Sequence, residues 1–238
     1  MFELSQALDL YDTYSNKIAE CNAAIELKFQ EFEVLHKDLP PDRKRRRRRA
    51  NDPDYDLRLY LYQICGVDLT QIDGIGPDLA QTIISEIGTD MSRWPSVKHF
   101  CSWLGLSPQH EKSGGKVLKS KTKKTKSRAN RAFRLAAQSA GKSKSAIGAF
   151  HRRMKSRKGA AEAIIATAHK IARIVYSMLK NQTPFEAHSE EGYQAAQRER
   201  AIADLKRKAK RLGYQVEEVG VQSQKVGDLF LLLGAYLL

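Results

Sequence analysis

Cysteine is scarce in this 238-residue chain, and Cys21, Cys65 and Cys101 lie far apart. That spacing excludes a zinc-finger pattern and a disulfide framework, and points to reduced thiols. No signal peptide opens the sequence, which lacks a basic start followed by a continuous apolar stretch. The one long apolar run, residues 229–238, is too short to cross a bilayer. The expectation is a cytoplasmic protein with no membrane partner. Strand signals are few, with only residues 215–221 suggesting an extended piece, so the expected fold class is mainly α. Aromatic residues make up 8% of the chain and few stand among the lysines, which argues against a stacking platform for single-stranded bases. The most informative absence is one sign of charge. Residues 112–158 hold 17 Lys or Arg and no Asp or Glu.

Over the whole chain 41 basic residues face 27 acidic ones, a net charge of +14. Such an excess favours a polyanionic partner, DNA first. An apolar content of 42% is enough for a packed core. The length suits one domain with an appendage or two small domains.

Gln71-Ile72-Asp73-Gly74-Ile75-Gly76-Pro77-Asp78-Leu79-Ala80 has the pattern of a helix-hairpin-helix. Gly74 and Gly76 permit a tight connection and close approach of another backbone. Pro77 suits the first position of the following helix. Ile72, Ile75, Ala80, Ile83, Ile84 and Ile87 supply an apolar side, and Gly88 a stop. Hairpin amides at a helix N-terminus can accept a phosphate oxygen, a grip that is independent of sequence. The same residues would equally suit an ordinary turn between two core helices.

Residues 1–38 read as one long helix of the coiled-coil type. Leu4, Tyr11, Ile18, Ile25 and Phe32 recur every seven residues, and Leu8, Cys21, Phe29 and Leu35 fill the second seam. Ser15 and Asn22 interrupt it, so homo-oligomer formation and packing on the chain's own body stand as equal alternatives. Pro40 and Pro41 end this helix, and the basic run at 44–49 reads as a solvated linker with phosphate contact as a second role. Further helices are expected at 57–65, at 96–104 after an N-cap at Ser96, at 127–140, at 160–180 and at 193–212, with 106–125 a loop. The domain scheme is a connector helix at 1–38, a linker at 39–56, a helix-hairpin-helix domain at 57–185, and a terminal helix with tail at 186–238.

Candidate chemistry centres on Ser113 in Lys112-Ser113-Gly114-Gly115-Lys116, where glycines leave the hydroxyl open and lysines favour a phosphate. A serine nucleophile needs a base, and His110 and Lys116 are neighbours in sequence only. Without a base, a Ser-Gly-Gly stretch is ordinarily a flexible loop. Arg128, Arg131 and Arg134 recur every three residues along one side of their helix, suited to holding phosphate. Asp52, Asp54 and Asp56 read as a charge-compensated turn, His169 as a core histidine, and Trp94 and Trp103 as core aromatics. No metal ligands are assigned.

Asp68-Leu69-Thr70-Gln71-Ile72-Asp73-Gly74-Ile75-Gly76, Trp103-Leu104-Gly105-Leu106-Ser107-Pro108, Lys112-Ser113-Gly114-Gly115-Lys116, Asn130-Arg131-Ala132-Phe133-Arg134 and Ala166-Thr167-Ala168-His169-Lys170-Ile171-Ala172-Arg173 occur in that order. Together they resemble the C-terminal portion of the Piv-like DEDD insertion-sequence transposases, the group that works with a bridge RNA. The resemblance runs from about residue 55 to 213, and residues 1–38 resemble the coiled-coil connector before that portion. It implies DNA recombination by a composite active site, one half a serine that becomes joined to a DNA end, here Ser113. The other half would be four carboxylates with Mg²⁺ in a RuvC-like domain that this sequence does not include, so no cofactor is expected in this chain. A guide RNA is a further partner implied by the resemblance. The chain alone is expected to bind nucleic acid without recombining it. Two other readings stand beside this one: a non-catalytic helix-hairpin-helix binder of nucleic acid, and a coiled-coil interaction protein kept soluble by its charge.

Overall fold

The computed structural model describes residues 2–38, 40 and 52–217. The basic run at 44–49, the tail at 229–238 and residues 218–221 of the expected extended piece lie outside them. The chain divides into two units, Met1–Gln194 and Ala195–Leu238. The described residues are mainly helical, as expected.

Helix α1 (Phe2–Gln30) has no buried residue and ends short of the expected residue 38. Contact with helix α2 (Leu57–Cys65) accounts for the early end. The Phe29 ring stacks on Tyr60 at 5.5 Å, and the Tyr60 hydroxyl donates to Glu26 at 3.1 Å. The chain then turns so that the Leu35 N–H reaches the Gln63 carbonyl at 2.8 Å. The expected seam residues Phe32 and Leu35 therefore fall beyond the helix. Asp56 starts α2 by accepting from the Leu59 N–H, the ordinary N-cap bond.

Asp68 ties the next segment together. Its carboxylate, 3% exposed, accepts from the Thr70 N–H and hydroxyl, the Gln71 amide and the Arg58 guanidinium, the last at 2.6 Å. Burial alone would raise its pKa, but the bonds from Arg58, Thr70 and Gln71 and the guanidinium charge hold it below the ordinary value. These bonds fold Leu69–Gln71 into a 3-10 turn, so the first arm of the expected hairpin is a single turn and not a helix. Ile72 and Ile75 are buried beneath it, and helix α3 (Pro77–Ile87) follows with Pro77 at its first position and Gly88 at its end.

A second 3-10 turn, Met91–Arg93, leads into helix α4 (Val97–Trp103). Ser96 holds the N-cap position, but its hydroxyl bonds His99 Nδ1 at 2.9 Å and caps no amide. Phe100 is fully buried among Trp94, Phe133 and Tyr176 at 4.9 to 6.3 Å, and the Tyr176 hydroxyl donates to the Trp94 carbonyl at 3.0 Å. Trp103 packs on Trp94 yet stays 48% exposed, so it is a surface residue and not a core one.

The expected loop at 106–125 is instead an antiparallel hairpin of β1 (Pro108–Ser113) and β2 (Lys116–Thr122). Helix α5 (Arg128–Ala140) follows, capped by Ser127. It buries Ala129, Ala132, Ala136, Ala137 and Ala140 with Phe133. Helices α6 (Ala146–Lys158) and α7 (Ala160–Asn181) complete the first unit's core. Between them His151 Nδ1 meets the buried Thr167 hydroxyl at 3.1 Å, and burial pulls its pKa below the ordinary histidine value. Helix α8 (Glu190–Arg211) spans the boundary of the units and buries no residue. Residues 214–217 lack regular structure.

Removing the Asp68 carboxylate takes away the charged partner of the Arg58 guanidinium, whose side chain is 20% exposed and keeps the Thr70 hydroxyl at 3.1 Å. Asp68→Ala should cost about 3 kcal/mol in urea unfolding at pH 7. Because the folded pKa is depressed, the contribution of Asp68 is complete above about pH 4 and fades as pH falls through the folded value. Asp68→Asn should lose that part of the acid dependence.

Candidate nucleic-acid interface

The hairpin has a Gly-Gly turn. Ser113 pairs with Lys116, leaving Gly114 at φ +54° and Gly115 at φ +76° as the two turn residues. Positive φ at both central positions defines the type I′ turn, which matches the right-handed twist of the strands and is closed to most side chains. Ser113 therefore sits at the tip of the ribbon, exposed, and its hydroxyl has no hydrogen-bond partner among the described residues. A register shift lies between Glu111 and Lys112, opposite Leu118, which is 66% exposed. Lys112 contributes backbone to β1.

The base of the ribbon is fixed. Leu106 is buried, and Gly105 packs so closely that an added Cβ would lie 3.0 Å from Thr125 and 3.3 Å from the Lys123 carbonyl. The Asn130 amide reaches back to the Leu104 carbonyl at 2.7 Å, joining the start of α5 to the end of α4. Strands of this length extend about 20 Å. Among their described side chains only Thr122 is less than exposed, being half-buried.

Arg128, Arg131 and Arg134 all face solvent, because the alanines of α5 occupy its inner side. They are not equivalent. Arg128 Nε lies 3.4 Å from Glu86 of α3, whereas Arg131 and Arg134 have no partner among the described residues. Lys116, Lys121, Lys123, Lys124 and Lys126 are exposed along the ribbon and its exit. Ribbon and helix are consecutive in the chain, so they offer phosphate a run of cations with no interposed acid in the sequence between residues 112 and 158.

The two glycines of the hairpin turn part company. Gly74, at φ +93°, lies against α5, where a Cβ would overlap the Ala136 carbonyl oxygen and the Ala140 backbone nitrogen. It serves packing. Gly76 has ordinary φ, and a Cβ there would meet nothing within 4 Å. The α3 N-terminus it begins has no side-chain cap, and Asp78 stands in the first turn, where its charge already answers the helix dipole.

Of the two bases near Ser113 in sequence, Lys116 stands directly across the turn from it. His110 is three positions along the same strand, so it projects from the opposite face of the ribbon. Among the described residues no three His, Cys, Asp or Glu side chains converge to hold a metal ion. Helix α6 adds cations that the sequence reading did not single out. Arg152 bonds the Gly141 and Ser143 carbonyls and pairs with Glu190 at 2.8 Å, and Arg153 reaches the Tyr193 hydroxyl at 3.4 Å. Those two are structural, while Lys155, Arg157 and Lys158 are exposed in the last turn of α6.

Residues 68–152 match the family model described as Transposase IS116/IS110/IS902 family. That segment begins at the carboxylate that orders the hairpin turn and takes in the ribbon and all of α5. The match supports a transposase portion of that family within the chain. No curated protein matches the sequence.

Gly74→Ala should destabilise the fold by about 2 kcal/mol, since φ is positive and the overlapping atoms are backbone. Gly76→Ala should leave the urea midpoint almost unmoved.

Proposed function

We propose that the chain is the DNA-binding portion of an insertion-sequence transposase, gripping phosphate with the ribbon and α5 and carrying the serine of a composite active site. The observation that carries this reading is the overlap of the transposase-family match with the acid-free segment that displays Ser113 at a solvent-facing tip. Lys116, Arg131 and Arg134 hold backbone phosphates, and Arg128 joins them once its pairing with Glu86 opens. Lys112 adds its charge to the same basic segment of the sequence. Gly76, with its open surroundings and uncapped helix start, is the hairpin glycine suited to phosphate, while Gly74 holds the hairpin turn on α5.

In the reaction the Ser113 Oγ–P bond forms as the phosphorus–oxygen bond to the leaving DNA hydroxyl breaks. The serine proton passes to a base, and the leaving oxygen takes up a proton. Apart from Lys116 across the turn, the described residues set no base beside Ser113, and by itself the chain binds DNA and forms no covalent adduct. The same fact favours a second reading, a non-catalytic binder that uses the ribbon for phosphate contact alone. The two part in a covalent-capture experiment with labelled duplex DNA, with and without a separately supplied RuvC-like domain. A denaturant-resistant adduct only with that domain, and lost in Ser113→Ala, is the expected result; no adduct in either arm leaves the binder. Arg131→Glu/Arg134→Glu should weaken binding about tenfold or more and lower the slope of log K against log salt by about 2.

Self-association through α1 belongs to the same proposal. Leu4, Leu8, Tyr11 and Ile18 are 42–71% exposed along one helix, too much apolar surface for a chain on its own. A second copy supplies the matching stripe. Sedimentation should give a dimer for the full chain and a folded monomer for Leu8→Glu/Ile18→Glu.

A further inference from the structure

A cavity of about 480 Å³ opens on the outer face of α7, bounded on one side by Val97 of α4. Lys170, Arg173, Ile174, Ser177, Lys180 and Asn181 line it from α7. These positions follow the i, i+3, i+4, i+7 spacing, so they form one stripe of the helix. Among the described residues no acidic one lines the cavity.

Two of the three cations, Lys170 and Lys180, are held in place. Lys170 Nζ lies 4.8 Å from the centre of the Phe150 ring and 5.3 Å from that of Tyr193, so two aromatic faces fix it. Lys180 Nζ donates to the Tyr176 hydroxyl at 3.1 Å, and that hydroxyl is itself anchored on the Trp94 carbonyl. Arg173 is exposed between them. The Asn181 amide donates to the Ser177 hydroxyl at 3.2 Å, leaving neutral polar groups on the same rim. From Lys170 to Lys180 the helix rises about 15 Å. Over that length one DNA strand presents about four phosphates.

This stripe is separate from the interface described above. Helices α5 and α7 pack together, the first burying Ala132, Phe133 and Ala136 and the second Ala168, Ile171 and Val175. Helices joined through their apolar sides turn their polar sides away from each other, so Arg131 and Arg134 point away from the α7 stripe.

We infer that the α7 groove is a second nucleic-acid site, taking the phosphodiester backbone of a strand other than the one held by the ribbon and α5. Two positioned cations with the exposed Arg173 between them, neutral donors and the apolar Val97 and Ile174 favour a phosphate backbone lying along the helix. An acidic peptide would use the charge, but it would leave unused the forked guanidinium of Arg173, which matches phosphate geometry.

The test uses the full chain with fluorescent 20-nucleotide DNA and RNA, single- and double-stranded, and polyglutamate as the competing polyanion. Arg173→Gln/Lys180→Gln removes two exposed cations and should fold normally, which circular dichroism checks. The expected result is about a tenfold loss of affinity for at least one nucleic acid and a salt slope lower by about 2. Combining it with Arg131→Glu/Arg134→Glu should lose more than either pair alone. Which oligonucleotide responds identifies the strand as DNA or RNA. As an independent readout, acetylation of Lys170 and Lys180 should be slowed by oligonucleotide in the Arg131→Glu/Arg134→Glu chain. Unchanged affinity, slope and acetylation would overturn the inference, as would protection by polyglutamate but by no oligonucleotide. If the α5 pair is silent and the α7 pair is not, the proposed ribbon interface fails and this inference stands.

Discussion

The close seating of α5 is the constraint on which the rest of the first unit depends. Gly74 touches the Ala136 carbonyl and Ala140 because neither side brings bulk to the contact. Five buried alanines on α5 let the hairpin turn, α3 and α7 approach its backbone, and Phe133 reaches past them to the Phe100 cluster. Packing by small residues gains less apolar burial per residue than leucine would, but it fixes rotation, since a slip of one position brings Arg131 or Arg134 into the contact. The charge pattern of the outer face is thereby set by the size pattern of the inner one.

Polar groups inside follow the same economy. Among the described residues no buried side-chain nitrogen or oxygen lacks a partner. Asp68, Asn130, Thr167 and Tyr176 each spend their hydrogen bonds on joining segments distant in sequence or on folding a turn. That leaves Ser113 as a different kind of residue: exposed, unpartnered among the described residues, and raised on a ribbon whose base is pinned between Leu104 and Asn130. An isolated two-stranded ribbon is marginally stable in water. A surface laid along it would stabilise it, which suits a segment whose role is to meet a partner.

Much of this was legible in the sequence, and the failures have physical causes. The helix start at Pro77 could be read because its fixed φ acts locally, whereas the cap at Asp56 passed in the sequence for part of a charge-compensated turn. The ribbon could not be read from strand periodicity. Neither of its faces is covered, so nothing demands alternating apolar residues, and the Gly-Gly pair was its only local signal. Helix α6 was missed for a related reason. It packs through Ile147, Gly148 and Ala149, where Gly148 meets the Ser143 carbonyl, so it shows no stripe of large residues. The heptads of α1 continued to Leu35 in sequence, but the stacking of Phe29 on Tyr60 ended the helix first, a contact between residues too far apart for pattern reading. Of the site residues, Ser113 and the three arginines were legible as exposed groups. The pairing of Arg128 with Glu86 and the packing role of Gly74 depend on α3 and α5 being neighbours, which only the fold supplies.

Charge then follows from packing. A helical layer with an apolar interior must put its cations outside, and two packed helices place them on opposite sides. If the cations of α7 served only solubility, nothing would require Lys170 to sit between two rings or Lys180 to lean on a hydroxyl anchored to Trp94. Long side chains on a solvated face ordinarily keep their rotamer freedom, worth up to about 2 kcal/mol each. Here that freedom is already lost without any partner bound, so a polyanion arriving at α7 meets cations that need little further ordering. The arginines of α5, with Arg131 and Arg134 unpaired among the described residues, must still be ordered by whatever they bind. On equal numbers of contacts, the α7 groove is therefore the better prepared of the two surfaces, and the α5 face the more adaptable.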